Sequence, residues 1–405
     1  MYNNKMARRR SFIKRTNKKN RTRNRTNKKN RTNKKNRTKR INQKGGAFEL
    51  NIKYTLAGHS GPVNSVAFHP TAPLLATGSD DDTARLWRFS PDDSTATCMA
   101  TLAGHSNCVR SVAFHPTASL LATGSCDNTA KLWRFSLDGS TATCVATLEG
   151  HAASVNSVAF HPTATLLATG SSDSTAKLWR FSLDGSTATC VATLAGHSRN
   201  VYSVAFNPTG LLLATGSLDN TAKLWRFSPD DSTATCVATL KGHSDCVYSV
   251  AFHPTAPLLA TGSSDRTMKL WNLPQLSPQP DPHPIPANNA VAVVDEHLEE
   301  VNEAVSIKVS QSGVVRSVAF HPKNGSLLAT VDSTYTVKLW ELASNHHSAI
   351  CVNTSERTGG ANSLAFHPTI PLLATGTYLT DAKLYNYEEL APQQDSLNVC
   401  SGLNC

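Results

Sequence analysis

No acidic residue occurs in the first 48 positions of this 405-residue chain, which carry 20 of its 40 Lys and Arg. The other positions hold the remaining 20 cations and all 29 acids, so a segment of charge +20 is joined to a body of −9. The overall +11 therefore describes the N-terminal segment and not the body. No apolar run approaches the roughly 20 residues that a membrane-spanning helix needs. The basic start has no apolar stretch after it, so a secretory leader is not expected and the reading is intracellular, nuclear or cytoplasmic. The ten cysteines include no Cys-x-x-Cys pair, and Cys98, Cys144, Cys190 and Cys236 fall one to each 46 residues. That spacing predicts neither a disulfide framework nor a zinc site. Gly-x-Ser-x-Gly, His-Glu-x-x-His and phosphate-binding glycine loops are all missing, so no catalytic residue, metal or cofactor is assigned and the chain reads as a non-enzyme.

Residues 1–46 are also poor in apolar side chains, and the hexamer NKKNRT occurs there at 17–22, 27–32 and 33–38. Such a segment buries too little to offset the entropy of ordering, so it is expected to be disordered. Arg8, Arg9, Arg10, Lys18, Lys19, Lys28, Lys29, Lys34 and Lys35 could grip a polyanion such as RNA or DNA, or act as a targeting signal. Binding of that kind would be non-specific and strongly salt-dependent. A neutral low-complexity expansion accounts for the composition equally well.

What the body does have is a period. Trp87, Trp133, Trp179, Trp225 and Trp271 stand 46 residues apart, each closing one phrase: TGSDDDTARLW, TGSCDNTAKLW, TGSSDSTAKLW, TGSLDNTAKLW and TGSSDRTMKLW. Trp340 and Tyr385 close two degraded copies. A fixed period of this length implies one supersecondary unit repeated about an axis. Within a unit, VRSVAF (109–114), LLATGS (120–125), TAKLWRF (129–135) and TATCVATL (141–148) read as four short antiparallel strands separated by turn residues. Four strands per unit, repeated, read as the blades of a propeller. The expected organisation is a tail at 1–46, a propeller at 47–390 and a loose C-terminal tail at 391–405. Trp271 and Trp340 lie 69 apart, and the extra length, about 273–298, opens with six prolines between Pro274 and Pro286. It follows a third strand, so it belongs before the fourth strand of unit 5. Glu296, Glu299 and Glu300 would join the acidic loops between third and fourth strands, which carry Asp92, Asp93, Asp138, Asp184, Asp230 and Asp231.

With Gly-His some 22 residues before Ser-x-Asp-x-Thr, itself leading into Leu-Trp, five times over, residues 48–388 resemble the WD-repeat family. The resemblance implies an all-β, seven-bladed propeller of four-stranded antiparallel blades, a monomeric ring that serves as a protein-interaction scaffold. It implies that FELNIKYTL (48–56) supplies the outer strand of the last blade, beside AKLYNY (382–387). It also implies a structural tetrad in each strong unit: His59, Thr77, Asp81 and Trp87; His105, Thr123, Asp127 and Trp133; His151, Thr169, Asp173 and Trp179; His197, Thr215, Asp219 and Trp225; His243, Thr261, Asp265 and Trp271. Ser79 and its equivalents share the threonine's strand face as an alternative hydroxyl. The degraded units have Gln311 and Arg357 at the histidine position, and Thr334 and Leu379 at the aspartate position. Trp-Asp itself is missing from every unit.

Of fifteen histidines, five belong to Gly-His and six to His-Pro (His69, His115, His161, His253, His321, His367), which makes them structural rather than metal-binding. Comparing the copies isolates the positions that vary. Asn64, Arg110, Asn156, Tyr202, Tyr248, Arg316 and Asn362 precede the common serine of the first strand. Arg199, Leu218 and Arg266 vary in the turns at the same end of the units. Tyr, Arg and Asn at such a rim suit recognition of a protein or peptide; neutral drift at exposed turns is the alternative.

Overall fold

A computed structural model describes residues 48–90, 95–136, 138–182, 184–228, 233–273, 299–302, 305–346, 348–355 and 360–389. The basic segment with its nine candidate cations, most of the proline-rich insertion, Arg357 and residues 391–405 lie outside the described residues. Seven sheets form the body, each with four antiparallel strands; blade 4 adds a fifth, parallel strand, and blade 7 takes its outer strand from the start of the described chain. Blade 1 runs Val63–Phe68, Leu74–Ser79, Thr83–Phe89 and Ala96–Ala103, from the innermost strand outwards. The other innermost strands are Val109–Phe114, Val155–Phe160, Val201–Phe206, Val247–Phe252, Val315–Phe320 and Ala361–Phe366. Neighbouring innermost strands touch, and blade 7 touches blade 1, so the ring closes. Closure uses Phe48–Ala57, which pairs with Asp381–Glu389 as the outer strand of blade 7. The two ends of the chain's body thereby remove each other's free sheet edge.

The alternation of residues explains the blades. The first strand buries every third or second side chain, as in Val63, Val66 and Phe68. The second strand, Leu-Leu-Ala-Thr-Gly-Ser, is buried throughout because neighbouring blades cover both of its faces. The core therefore lies between blades. Leu74, Ala76 and Leu86 of blade 1 pack with Val109, Val112 and Trp133 of blade 2, and this arrangement recurs around the ring. Gly78 is small because a Cβ there would meet Val109 Cγ1 at 2.8 Å and Val112 Cγ1 at 3.0 Å. At the blade 6–7 interface the sizes are exchanged: Val331 replaces the glycine, Ala361 replaces the facing valine, and both are fully buried in one cluster.

The insertion falls between the third strand of blade 5, Thr267–Asn272, and its fourth, Val305–Ser310. One part adopts a strand of its own. Glu299–Asn302 pairs in parallel with Ala234–Lys241, the outer strand of blade 4. Glu299 and Glu300 thus stand opposite Ala238 and Thr239 on that edge, not among the acidic loops where their charge suggested. The backbone hydrogen bonds of an exposed edge outweigh charge similarity here.

Candidate interaction rim and its supporting tetrads

Each strong blade ties its outer turns to its core through one chain of hydrogen bonds. In blade 1, Trp87 Nε1–H donates to Thr77 Oγ1 at 2.9 Å, and the threonine hydroxyl reaches His59 Nε2 at 2.6 Å. His59 Nδ1 lies 2.8 Å from Asp81 Oδ2. The indole can only donate, so the threonine oxygen accepts from it and gives its own proton to Nε2. That leaves Nδ1–H as the donor to aspartate, which fixes the tautomer. The other carboxylate oxygen accepts from Thr83 N–H and from its hydroxyl at 2.6 Å, closing the turn. Blades 2 to 5 repeat the chain through His105, His151, His197 and His243, with histidine–aspartate distances of 2.7–2.8 Å. Thr123, Thr169, Thr215 and Thr261 take the middle place, each accepting from its tryptophan, Trp133, Trp179, Trp225 or Trp271, at 2.9 Å. Ser79 stands outside this chain and braces the turn, where its hydroxyl donates to Gly61 O and accepts from Asp81 N–H.

Burial drives the His59, His105 and His151 pKa values down, against the pull of their aspartates. Burial would raise Asp81, Asp127 and Asp173, but hydrogen bonds from the turn threonines and from the histidines outweigh it and hold them at about 2. Asp219 and Asp265 are lowered for the same reasons. Neutral imidazole beside a firm carboxylate describes a structural clamp rather than a proton shuttle.

The last blades depart from this. In blade 6, Gln311 Nε2 donates to Thr330 Oγ1 at 2.7 Å and Trp340 Nε1 donates to the same oxygen at 2.8 Å, while Asp332 holds Thr334. In blade 7, Thr375 Oγ1 is buried and has no hydrogen-bond partner among the described residues.

The His-Pro histidines carry the opposite tautomer. His69 Nδ1 accepts from Thr71 N–H and Ala72 N–H, so its proton sits on Nε2. Its ring packs edge-on against Phe114 of the next blade, 5.1 Å between centroids. In blade 4 Asn207 occupies this place, and a cavity of about 230 Å³ opens beside it against Phe252 and Leu273.

The varying residues gather at the end of the ring formed by the starts of the first strands and the second-to-third-strand turns. Some are absorbed by the fold. Asn64 Nδ2 donates to Asp80 and to Val109 O of the next blade, and Asn156 does the same to Ser172 and Val201 O. Others stand ready. Arg110, Arg199 and Arg266 are exposed, and Leu218 and Asn362 are half-buried. Tyr202 and Tyr248 pack together across blades 4 and 5 at 5.0 Å. The Arg316 guanidinium lies over the Tyr378 ring, 5.2 Å from its centroid. Comparison of the strong units alone missed Tyr335, Tyr378 and Ser333, which replace Asp82, Asp80 and its equivalents in the degraded copies; laying those copies on the strong ones would have found them.

One expectation is overturned. Cys108 and Cys126 form a disulfide, with Cα atoms 5.3 Å apart. Spacing by the repeat hid this pair, because the two residues occupy different places in one unit, 18 positions apart. Cys126 N–H donates to Cys108 O across the turn, a bond repeated in other blades, and only unit 2 has cysteine at both places. Among the described residues, no group of His, Cys, Asp and Glu is placed to hold a metal.

Seven four-stranded blades around an axis, tied by these tetrads, define a β-propeller of the WD-repeat class. The WD domain, G-beta repeat family matches residues 50–88, 96–134, 142–180, 188–226 and 234–272. The chain belongs to the WD-repeat family. Over 45 residues, 11% of this chain and 4% of the relative, it is 47% identical to "Coatomer subunit alpha-1" of Arabidopsis thaliana. Over 39 residues, 10% of this chain and 3% of the relative, it is 51% identical to "Coatomer subunit alpha" of Saccharomyces cerevisiae. Similarity to "Nuclear distribution protein PAC1" of Cryptococcus neoformans is 47% over 45 residues, 11% of this chain and 10% of that protein. The chain thus spans a tenth or less of the length of these relatives, about one blade. Propellers of this family generally bind protein partners, and no helix among the described residues is long and apolar enough to cross a membrane.

Proposed function

We propose that this chain is a non-enzymatic scaffold, a monomeric ring that holds a protein or peptide partner on the rim containing Arg110, Arg199, Tyr202, Leu218, Tyr248, Arg266, Arg316 and Asn362. One observation carries the reading: the copies are nearly invariant where they bond to themselves and vary where one end of the ring meets solvent. The tetrads serve as clamps that present this rim. Relatives named as coatomer subunits fit a part in an assembly. The test is affinity capture from nuclease-treated extract with the full chain, with residues 47–405, and with a variant carrying Arg199→Ala, Tyr248→Ala and Arg266→Ala. Partners retained by 47–405 and lost by the rim variant are expected. Partners that vanish with nuclease or without residues 1–46 would assign recognition to nucleic acid and the basic segment instead.

A further inference from the structure

The rim is not uniform. Blades 6 and 7 place a group there that the strong repeats lack. Arg316, on the innermost strand of blade 6, lies over Tyr378 of blade 7. Tyr378 meets Tyr335 edge-on at 5.9 Å. Both tyrosines close over Gly360, where a Cβ would meet Tyr378 at 2.9 Å. Tyr335, Tyr378 and Leu379 remain 41%, 38% and 55% exposed, a cluster of large hydrophobic side chains at one sector of the rim.

Two further observations point to a ligand. Arg316 Nε is buried and has no hydrogen-bond partner, and no carboxylate pairs with Arg316 among the described residues. An enclosed N–H of a half-buried guanidinium left without an acceptor is costly, and its natural complement is an oxyanion. Tyr335 also sits at φ 69°, and Arg266 at φ 65°, at a turn position where blades 1 to 4 use Asp, Asn, Ser and Asn. Bulky side chains in that left-handed conformation are strained, and strain of this kind gathers at binding sites. Asp80, the acid near Tyr378, is engaged by Asn64.

We propose that the sector Arg316–Tyr335–Tyr378–Leu379 binds an acidic peptide, with a Glu or Asp carboxylate on Arg316 and an adjacent apolar side chain against Tyr335 and Leu379. This rests on the rim reading above and names its sector and partner chemistry. The probes are two fluorescent peptide libraries with random flanks, one with a central Glu and one with a central Gln, titrated against the full chain at about 150 mM salt. The wild-type chain is expected to prefer the Glu library. Arg316→Gln should remove at least tenfold of that preference, and Tyr335→Ser should weaken both libraries. Arg199→Gln, on the same rim but outside the sector, should leave it intact. The basic segment is identical in all these chains, so the difference reads the sector alone. Circular dichroism and melting establish that each variant folds, and Arg316→Lys, which keeps the charge, should retain part of the preference. Equal preference in Arg316→Gln and wild type overturns the proposal. If Arg199→Gln abolishes binding while Arg316→Gln does not, the sector is wrong and the rim reading stands. If neither changes binding, both fail.

Discussion

Two kinds of histidine with opposite tautomers hold this ring, and in both the hydrogen-bond pattern leaves no acceptor for a second proton. A tetrad histidine must accept at Nε2 and a His-Pro histidine must accept at Nδ1, so a second proton would face a donor in either case. Burial lowers His69, His115, His253 and His321, and holds His367 at about 4. His59, His105 and His151 are lowered too. A folded-state pKa below the unfolded one means that the unfolded chain takes up protons first. Stability from these groups is thus complete above the unfolded value of about 6.5 and is lost as pH falls through it. The clamped aspartates, with folded values near 2, add a second loss as pH falls below about 4. Urea midpoints should therefore decline from about pH 7.5 to 5 and drop further below 4. A flat profile across the upper range would contradict neutral, buried imidazoles. The histidine roles were legible residue by residue, because Gly-His and His-Pro recur at fixed places. The tautomers were not, since they depend on which donors the fold brings to each nitrogen.

Blades meet through matched sizes, and the sixth and seventh show how a match can be kept while its parts change. Elsewhere a glycine on the second strand receives a valine from the next blade. Val331 and Ala361 reverse the pair, so that the larger side chain comes from blade 6 and the smaller from blade 7. Ala361→Val alone should overpack the interface and destabilise by about 1–3 kcal/mol. Val331→Gly alone should leave a void and cost about 2–4 kcal/mol, with the glycine's backbone freedom adding to it. The double substitution restores the arrangement of the other blades and should cost less than the sum of the two. Urea unfolding of the four proteins measures this cycle, and additive costs would show that the two side chains do not sense each other. Each substitution is visible in the sequence as a departure from the repeat. Their compensation is not, because it requires knowing which strand of one blade faces which strand of the next. The same limit applied to Glu299–Asn302: charge suggested the acidic loops, whereas an unpaired edge of blade 4 decided its place.

At the scale of the whole ring, the seam around blade 7 is the least tied. Ser65, Ser111, Ser157, Ser203 and Ser249 each accept from a valine N–H of the next blade at 3.1–3.2 Å, linking blades 1 to 6 in succession. Among the described residues, Ser363 Oγ of blade 7 is buried without a partner, and so is Thr375 Oγ1 in the same blade. Local opening starts where such ties are fewest. Hydrogen exchange should be faster in Ala361–Phe366 and Leu372–Thr377 than in the matching strands Val155–Phe160 and Leu166–Ser171. Equal protection would show that closure by Phe48–Ala57 compensates in full. The blade was legible along the chain: a unit that contains its own tetrad partners, His59 to Asp81 within 22 positions, specifies those bonds wherever it is copied. Five strong and two degraded closing phrases count seven units, and the strand that closes the ring was implied by the family resemblance. What lies between units came from the folded ring: Arg316 on Tyr378, Val331 on Ala361, the cavity at Asn207. Contacts inside a repeat have a fixed separation and can be read along the chain, whereas contacts between repeats exist only once the ring has closed.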